Sequence, residues 1–200
     1  MKTFAKIWLI IGLLAIAFGA VIVIVVAASG AKWRRVNTHS FRETYENVES
    51  LNFDFAYGRV TIKEGDRFSI YAENVPEDIF KSYVSNGVWY INEKYGKKNV
   101  LGFNIFDISI FGFRINDANR EITITLPRGY TLKECSLDIG AGEVEADAIY
   151  AKEGYFQVGA GKLQIDRLEI SERSDYNVGA GSMSIRSLTA NNTKIVCGVG

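Results

Sequence analysis

Cysteine and histidine are scarce in this chain, and net charge is absent. Its 200 residues hold two cysteines, Cys135 and Cys197, one histidine, His39, and 23 basic against 23 acidic side chains. Two cysteines are too few for a domain held by a disulfide framework, so packing and backbone pairing must carry stability. Balanced charge excludes the concentrated basic face that phosphate binding needs, and with it a nucleic-acid partner. No run of like charge marks an interaction tail. The lone His39 stands in a polar stretch without repeats and reads as a solvated residue rather than a general base.

What the chain does have begins at the N-terminus. Ile7–Ala28 contains no charged or strongly polar residue. As a helix it would reach about 33 Å, enough for a bilayer core of about 30 Å. The alternative is a cleaved signal peptide, whose apolar region is usually shorter. The expected organisation is a short tail and transmembrane helix over 1–30, a juxtamembrane linker over 31–46, a β region over 47–134, and repeats over 135–200. Lys32, Arg34, Arg35 and Arg42 follow the apolar run, and positive charge alone would leave the large part in the cytoplasm.

From Val48 onward, short stretches alternate apolar and polar residues, the signature of half-buried strands. Examples are Phe53-Asp54-Phe55, Val60-Thr61-Ile62, Phe68-Ser69-Ile70, Val88 to Ile91 and Ile122 to Leu126, the last ended by Pro127. Only Pro76 to Tyr83 suggests a helical turn. An internal repeat then takes over. Gly-Ala-Gly begins at Gly140, Gly159 and Gly179, and Gly-Val-Gly at Gly198, in steps of 19, 20 and 19. Aligned on these glycines, apolar columns emerge: Leu137, Phe156, Tyr176 and Ile195, then Ile139, Val158, Val178 and Cys197. Polar columns alternate with them. A unit this short cannot bury its apolar face alone, so the repeats are expected to stack at about 4.8 Å per layer. The fold expected is all-β: a single-stranded-type β-solenoid (β-helix) with an N-terminal β cap, preceded by one transmembrane helix. Its last repeat stops at Gly200 with no capping element, as in a truncated chain.

An Ile-Thr-Ile-Thr-Leu-Pro strand followed by Gly-Ala-Gly repeats, behind one apolar run, resembles the putative-adhesin family of bacterial β-strand-repeat envelope proteins. The resemblance covers about residue 47 to the end. It implies an extracytoplasmic domain in a Gram-positive-type envelope, and it supplies no catalytic or ligand residues.

Motifs for chemistry are weak. Gly140-Ala141-Gly142 lacks the third glycine and the helix of a dinucleotide-binding loop. Glu143, Lys162 and Ser182 follow the glycine pairs, so no carboxylate row for calcium exists. Asp147 and Asp166 share a column as a candidate acid/base pair, but Arg186 completes it and makes a charge ladder the simpler reading. Cys135 and Cys197 fall in different columns about 14 Å apart, too far for a disulfide, which needs about 7 Å. Cys197 is expected to be buried among the valines. The segment from Val100 to Ile115 is rich in phenylalanine. It reads as a hairpin packed on the end of the repeats or as an exposed interaction patch of Phe103, Phe106, Phe111 and Phe113.

These readings point to a non-enzymatic, membrane-anchored envelope protein that binds or scaffolds another envelope protein or a wall polymer. No catalytic residue, cofactor or metal is expected. The partner on the inner side would be the membrane itself, through Ile7–Ala28. An accessory role in envelope-stress sensing is the alternative, and a carbohydrate-active enzyme the least favoured.

Overall fold

The computed structural model describes residues 37–77, 79–93, 98–100, 103–105 and 120–199. Ile7–Ala28 lies outside them, and among the described residues no helix is long and apolar enough to cross a membrane. The described chain is built from strands. In order they are β1 (Thr38–Tyr45), β2 (Ser50–Phe55), β3 (Arg59–Gly65), β4 (Phe68–Pro76), β5 (Phe80–Ser85), β6 (Val88–Glu93), β7 (Lys98–Val100), β8 (Phe103–Ile105), β9 (Glu121–Pro127), β10 (Thr131–Ile139), β11 (Glu143–Val158), β12 (Lys162–Val178), β13 (Ser182–Ala190) and β14 (Thr193–Cys197).

The period-two alternation of the sequence becomes burial. Leu51, Phe53 and Phe55 on β2 point inward, as do Trp89 and Ile91 on β6, Leu137 and Ile139 on β10, and Phe156 and Val158 on β11. Twelve strands join one sheet in the order β1-β4-β9-β3-β11-β10-β2-β6-β5, and β12 pairs β11, β13 and β14. The long strands β11 and β12 bend without breaking. The first part of β11 pairs β3, its second part pairs β10, and β12 runs beside both parts. A single apolar cluster from Val48 to Tyr176 fills the space the sheet wraps around.

The repeat spacing appears directly in the parallel register. Leu137 faces Phe156, Phe156 faces Tyr176, and Tyr176 faces Ile195. The one 20-residue step is absorbed at a bulge: Ala151 faces Ile170, but Glu153 faces Arg173. At each corner the backbone groups of successive Gly-x-Gly segments bond directly. Gly159 donates to the carbonyl of Ile139 at 2.8 Å and Ala160 to that of Gly140 at 2.7 Å.

Four expectations are corrected. The solenoid with a separate N-terminal cap is replaced by one mixed sheet that nearly closes on itself, and the transmembrane helix expected before it has no counterpart among the described residues, outside which Ile7–Ala28 lies. The physical reason is long-range pairing: β2 joins β10, and β3 joins both β9 and β11, so the N-terminal strands belong to the sheet instead of covering its end. Antiparallel pairs β1·β4, β4·β9 and β5·β6 also interrupt any one-way winding. Thr38–Tyr45, expected in a linker, is an edge strand, because Phe41 and Tyr45 pack on the core from one face. The helical turn expected around Pro76 to Tyr83 is largely strand β5, which returns into β6 through Asn86-Gly87. Both turn residues have positive φ, 51° and 77°, as a tight hairpin turn requires. Finally, Cys197 is exposed, and Ile195 is 63% exposed, because β14 lies at the free edge beside β12.

A side chain at Gly161 would place its Cβ 2.3 Å from the carbonyl oxygen of Gly142, whereas one at Gly129 would meet nothing within 4 Å. Gly161→Ala should therefore cost about 3 kcal/mol through forced backbone movement. Gly129→Ala should cost about 1 kcal/mol, from its φ of 64° alone. Urea unfolding of the two variants checks the ranking.

Candidate functional site

Three places hold clustered chemistry: a buried ion pair, a charged groove, and a broad outward face.

The buried pair joins Glu93, at the end of β6, to Arg120, just before β9, and neither side chain is exposed. The guanidinium lies over the rings of Phe55, Tyr57 and Phe80 at 5.0 to 5.6 Å, and donates to the Tyr57 carbonyl at 3.4 Å. Burial pulls the Arg120 pKa down to about 10, with Tyr57 acting in the opposite direction. It stays charged at neutral pH. The pair is enclosed, so it anchors structure and has no access to a substrate.

The groove holds about 350 Å³ and is lined by Glu64, Asp147, Asp166, Arg167 and Arg186, among others. The sequence column is realised here, since Ile165 faces Ala146 and Ile185 on its two sides. Arg186 pairs with Asp166 at 3.3 Å, and the backbone N–H of Glu64 donates to Asp147 at 3.4 Å. Both charged side chains of the ion pair are more than half exposed. This is the charge ladder expected from the sequence, and it offers no desolvated acid. Nearby, Lys162 and then Arg59 hold the Glu143 carboxyl below its usual range, at 3.2 and 3.3 Å.

The third place is the outward face of β5, β6, β2, β10, β11 and β12. Parallel register lines up one side chain per strand. Asn92, Asp54, Asp138, Gln157 and Asn177 form a row, and Gln157 donates to Asp138 at 3.3 Å. The neighbouring row starts with Tyr83 and Tyr90, whose rings stack with centroids 5.3 Å apart at 23°. Tyr83 is 40% exposed. Asp54 and Asp138 face each other across β2 and β10. Partial burial, then the neighbouring Asp138 charge, raise the Asp54 pKa above its ordinary value. The Asn92 Oδ1 atom is shielded and has no hydrogen-bond partner among the described residues.

Of the predicted patch, Phe103 lies on β8, which pairs with β7 in a two-stranded sheet, and its side chain is not described. Phe106, Phe111 and Phe113 lie outside the described residues. His39 sits on β1, stacked on Phe41 at 5.2 Å. Cys135 and Cys197 are free thiols, and burial pushes Cys135 up to about 12, making it inert. Among the described residues no group of three His, Cys, Asp or Glu side chains could hold a metal ion. The Asp54–Asp138 row and the Glu93–Arg120 pair were not singled out from sequence. The period-two pattern around Asp54 and Asp138 was available, but their adjacency depends on a pairing between strands distant in the chain.

No family model and no curated protein matches this chain. Similar solved structures include two adhesion-related proteins. One is a putative cell adhesion protein from Clostridium sporogenes, at 16% identity and a TM-score of 0.47, covering 74% of this chain and 72% of that one. The other is a putative adhesin from Bacteroides fragilis, at 12% identity and a TM-score of 0.35, covering 80% of this chain and 97% of that one. Overlaps this loose carry no site or ligand from those proteins to this one.

Two outcomes test the electrostatics. Glu93→Gln leaves a buried guanidinium without its counter-charge and should cost about 3–5 kcal/mol, while Glu93→Leu combined with Arg120→Met should cost less than the single change. Chemical denaturation of both variants measures the difference. Asp54→Asn should raise the unfolding midpoint at pH 7. Because the folded-state pKa is the higher one, the native carboxylate weakens the fold above that pKa and is neutral in both states at low pH. The gain should therefore disappear as pH falls below the ordinary aspartate pKa, as a pH series of thermal melts would show.

Proposed function

We propose that this chain is a cell-surface, adhesin-like protein that works by contact, binding or scaffolding an envelope component without turning it over. The observation that carries the reading is the outward face of β5 to β12. Six neighbouring strands hold exposed polar side chains in straight rows, on a sheet whose other side is a continuous apolar core. Such a face is rigid, because every strand in it except the edge strand β5 is hydrogen-bonded on both sides and the sheet is packed beneath. A rigid repeated face loses little conformational entropy on binding an extended partner. The enclosed Glu93–Arg120 pair and the exposed Arg186–Asp166 pair of the groove support the same reading, since neither presents a desolvated acid to a substrate. The partner class proposed is a wall polymer or another envelope protein, met outside the cytoplasm.

The test uses the purified full chain and envelope fractions of the cells that produce it. Saturable sedimentation with the wall or membrane fraction is expected, together with labelling of the face on intact cells by an impermeant lysine reagent at Lys81 and Lys194. Sedimentation with neither fraction, and labelling only after lysis, would overturn the reading.

A further inference from the structure

We infer that the outward face of β5, β6, β2, β10 and β11 binds an extended amino-sugar polysaccharide, with Tyr83 and Tyr90 against the sugar rings and Asn92, Asp54, Asp138 and Gln157 on its hydroxyl and amino groups. This rests on the surface-binding reading above and names its ligand class.

The chemistry of the two rows carries the inference. Sugar rings present apolar C–H faces, which pack on aromatic rings, and a rim of hydroxyls that donate and accept hydrogen bonds. The Tyr83–Tyr90 stack supplies an aromatic surface in which Tyr83 is exposed and Tyr90 half-buried. Exposed aromatic area of this kind is characteristic of contact sites. Beside it, the row from Asn92 to Gln157 supplies planar groups with two polar atoms each, one on each of four adjacent strands. Strand spacing of about 4.8 Å repeats that offer at close to the scale of one sugar ring. A chain lying across the strands would therefore meet a new polar group at each step.

Charge selects the polymer. Asp54 and Asp138 face each other, and among the described residues neither has an ion-pair partner. Elsewhere register partners include opposite charges, Glu143 between Arg59 and Lys162 and Glu153 opposite Arg173, and like charges, Glu134 opposite Glu153 and Glu73 opposite Glu121; the aspartate pair differs in standing on the same face as the tyrosine stack, one row from it. Like charges directly opposed across a ladder destabilise it. An incoming ammonium group relieves that repulsion, whereas phosphate or uronate polymers would add to it.

Calorimetric titration of the full chain with a β-1,4-linked glucosamine hexamer tests this, with cellohexaose and oligogalacturonate as the neutral and anionic probes. Saturable binding of the glucosamine hexamer is expected, at least tenfold tighter than cellohexaose, with none of the uronate. Tyr83→Ala with Tyr90→Ala should weaken it at least tenfold, and Asp54→Asn with Asp138→Asn should remove the preference over cellohexaose. Gln164→Ala, on the other outward face, should change nothing. Each variant is checked by its thermal melt, and the exposed Asp54→Lys replaces the tyrosine pair should that variant unfold, with binding expected to be lost. No saturable binding, equal binding of the three probes, or binding indifferent to these substitutions would overturn the inference. Sedimentation with envelope fractions alongside no hexamer binding would sink the ligand class and leave the surface-binding reading standing. Hexamer binding without sedimentation would do the reverse.

Discussion

Close approach between glycine backbones at the corners of the sheet is the constraint on which the other features depend. A Cβ at Gly159 would lie 2.9 Å from the Gly140 carbonyl, and one at Gly181 would lie 2.3 Å from that of Gly161. With hydrogens in their place, each corner bonds directly to the corner beneath it. This holds β11 and β12 in register through their bends, so the inward columns coincide and the core is continuous. The outward rows are the same register seen from the other side. A corner displaced by one residue would turn Phe156 and Val158 outward and Gln157 inward. The straightness of the polar rows is thus a by-product of backbone packing at the corners.

The repeat itself was legible. Columns read from glycine spacing place Leu137, Phe156 and Tyr176 as neighbours, and they are. What was hidden was the continuation of the sheet into the N-terminal half. The bend between β2 and β3 runs beneath the first Gly-Ala-Gly, with Gly140 and Ala141 donating to the carbonyls of Phe55 and Ala56. That segment reads Ala56-Tyr57-Gly58, so an alignment anchored on Gly-x-Gly does not reach it. The bulge after Ala151 also blurred the period by one residue. The Asn86-Gly87 turn, by contrast, carried a plain hairpin signal in its two residue types.

The candidate face was half legible. Asp138 and Gln157 share a column of the repeat, so their contact followed from spacing. Asn92 and Asp54 join the row only because β6 pairs β2 and β2 pairs β10, and no local pattern encodes those choices. The Glu93–Arg120 pair was equally hidden. Two charged residues, one ending a strand and one just before another, carry no sequence signal of burial, which comes from Phe55, Tyr57 and Phe80 closing around the guanidinium. Burial of a charge depends on which aromatic rings the topology brings together.

The strand order also dictates when the molecule can become whole. Among the described strands up to β6, β1 pairs only with β4, β6 pairs with β2 and β5, and β3 has no partner. β9 joins β4 to β3, and β10 and β11 join β3 to β2. A nascent chain ending before residue 121 therefore holds two disconnected ladders and a stray strand. Closing such distant pairings sacrifices chain entropy before their contacts compensate, so assembly is slow and late. Until β9 to β11 are made, the apolar faces of β2, β3 and β4 stay without the neighbours that complete their burial, an interval in which the growing chain is open to pairing with other chains.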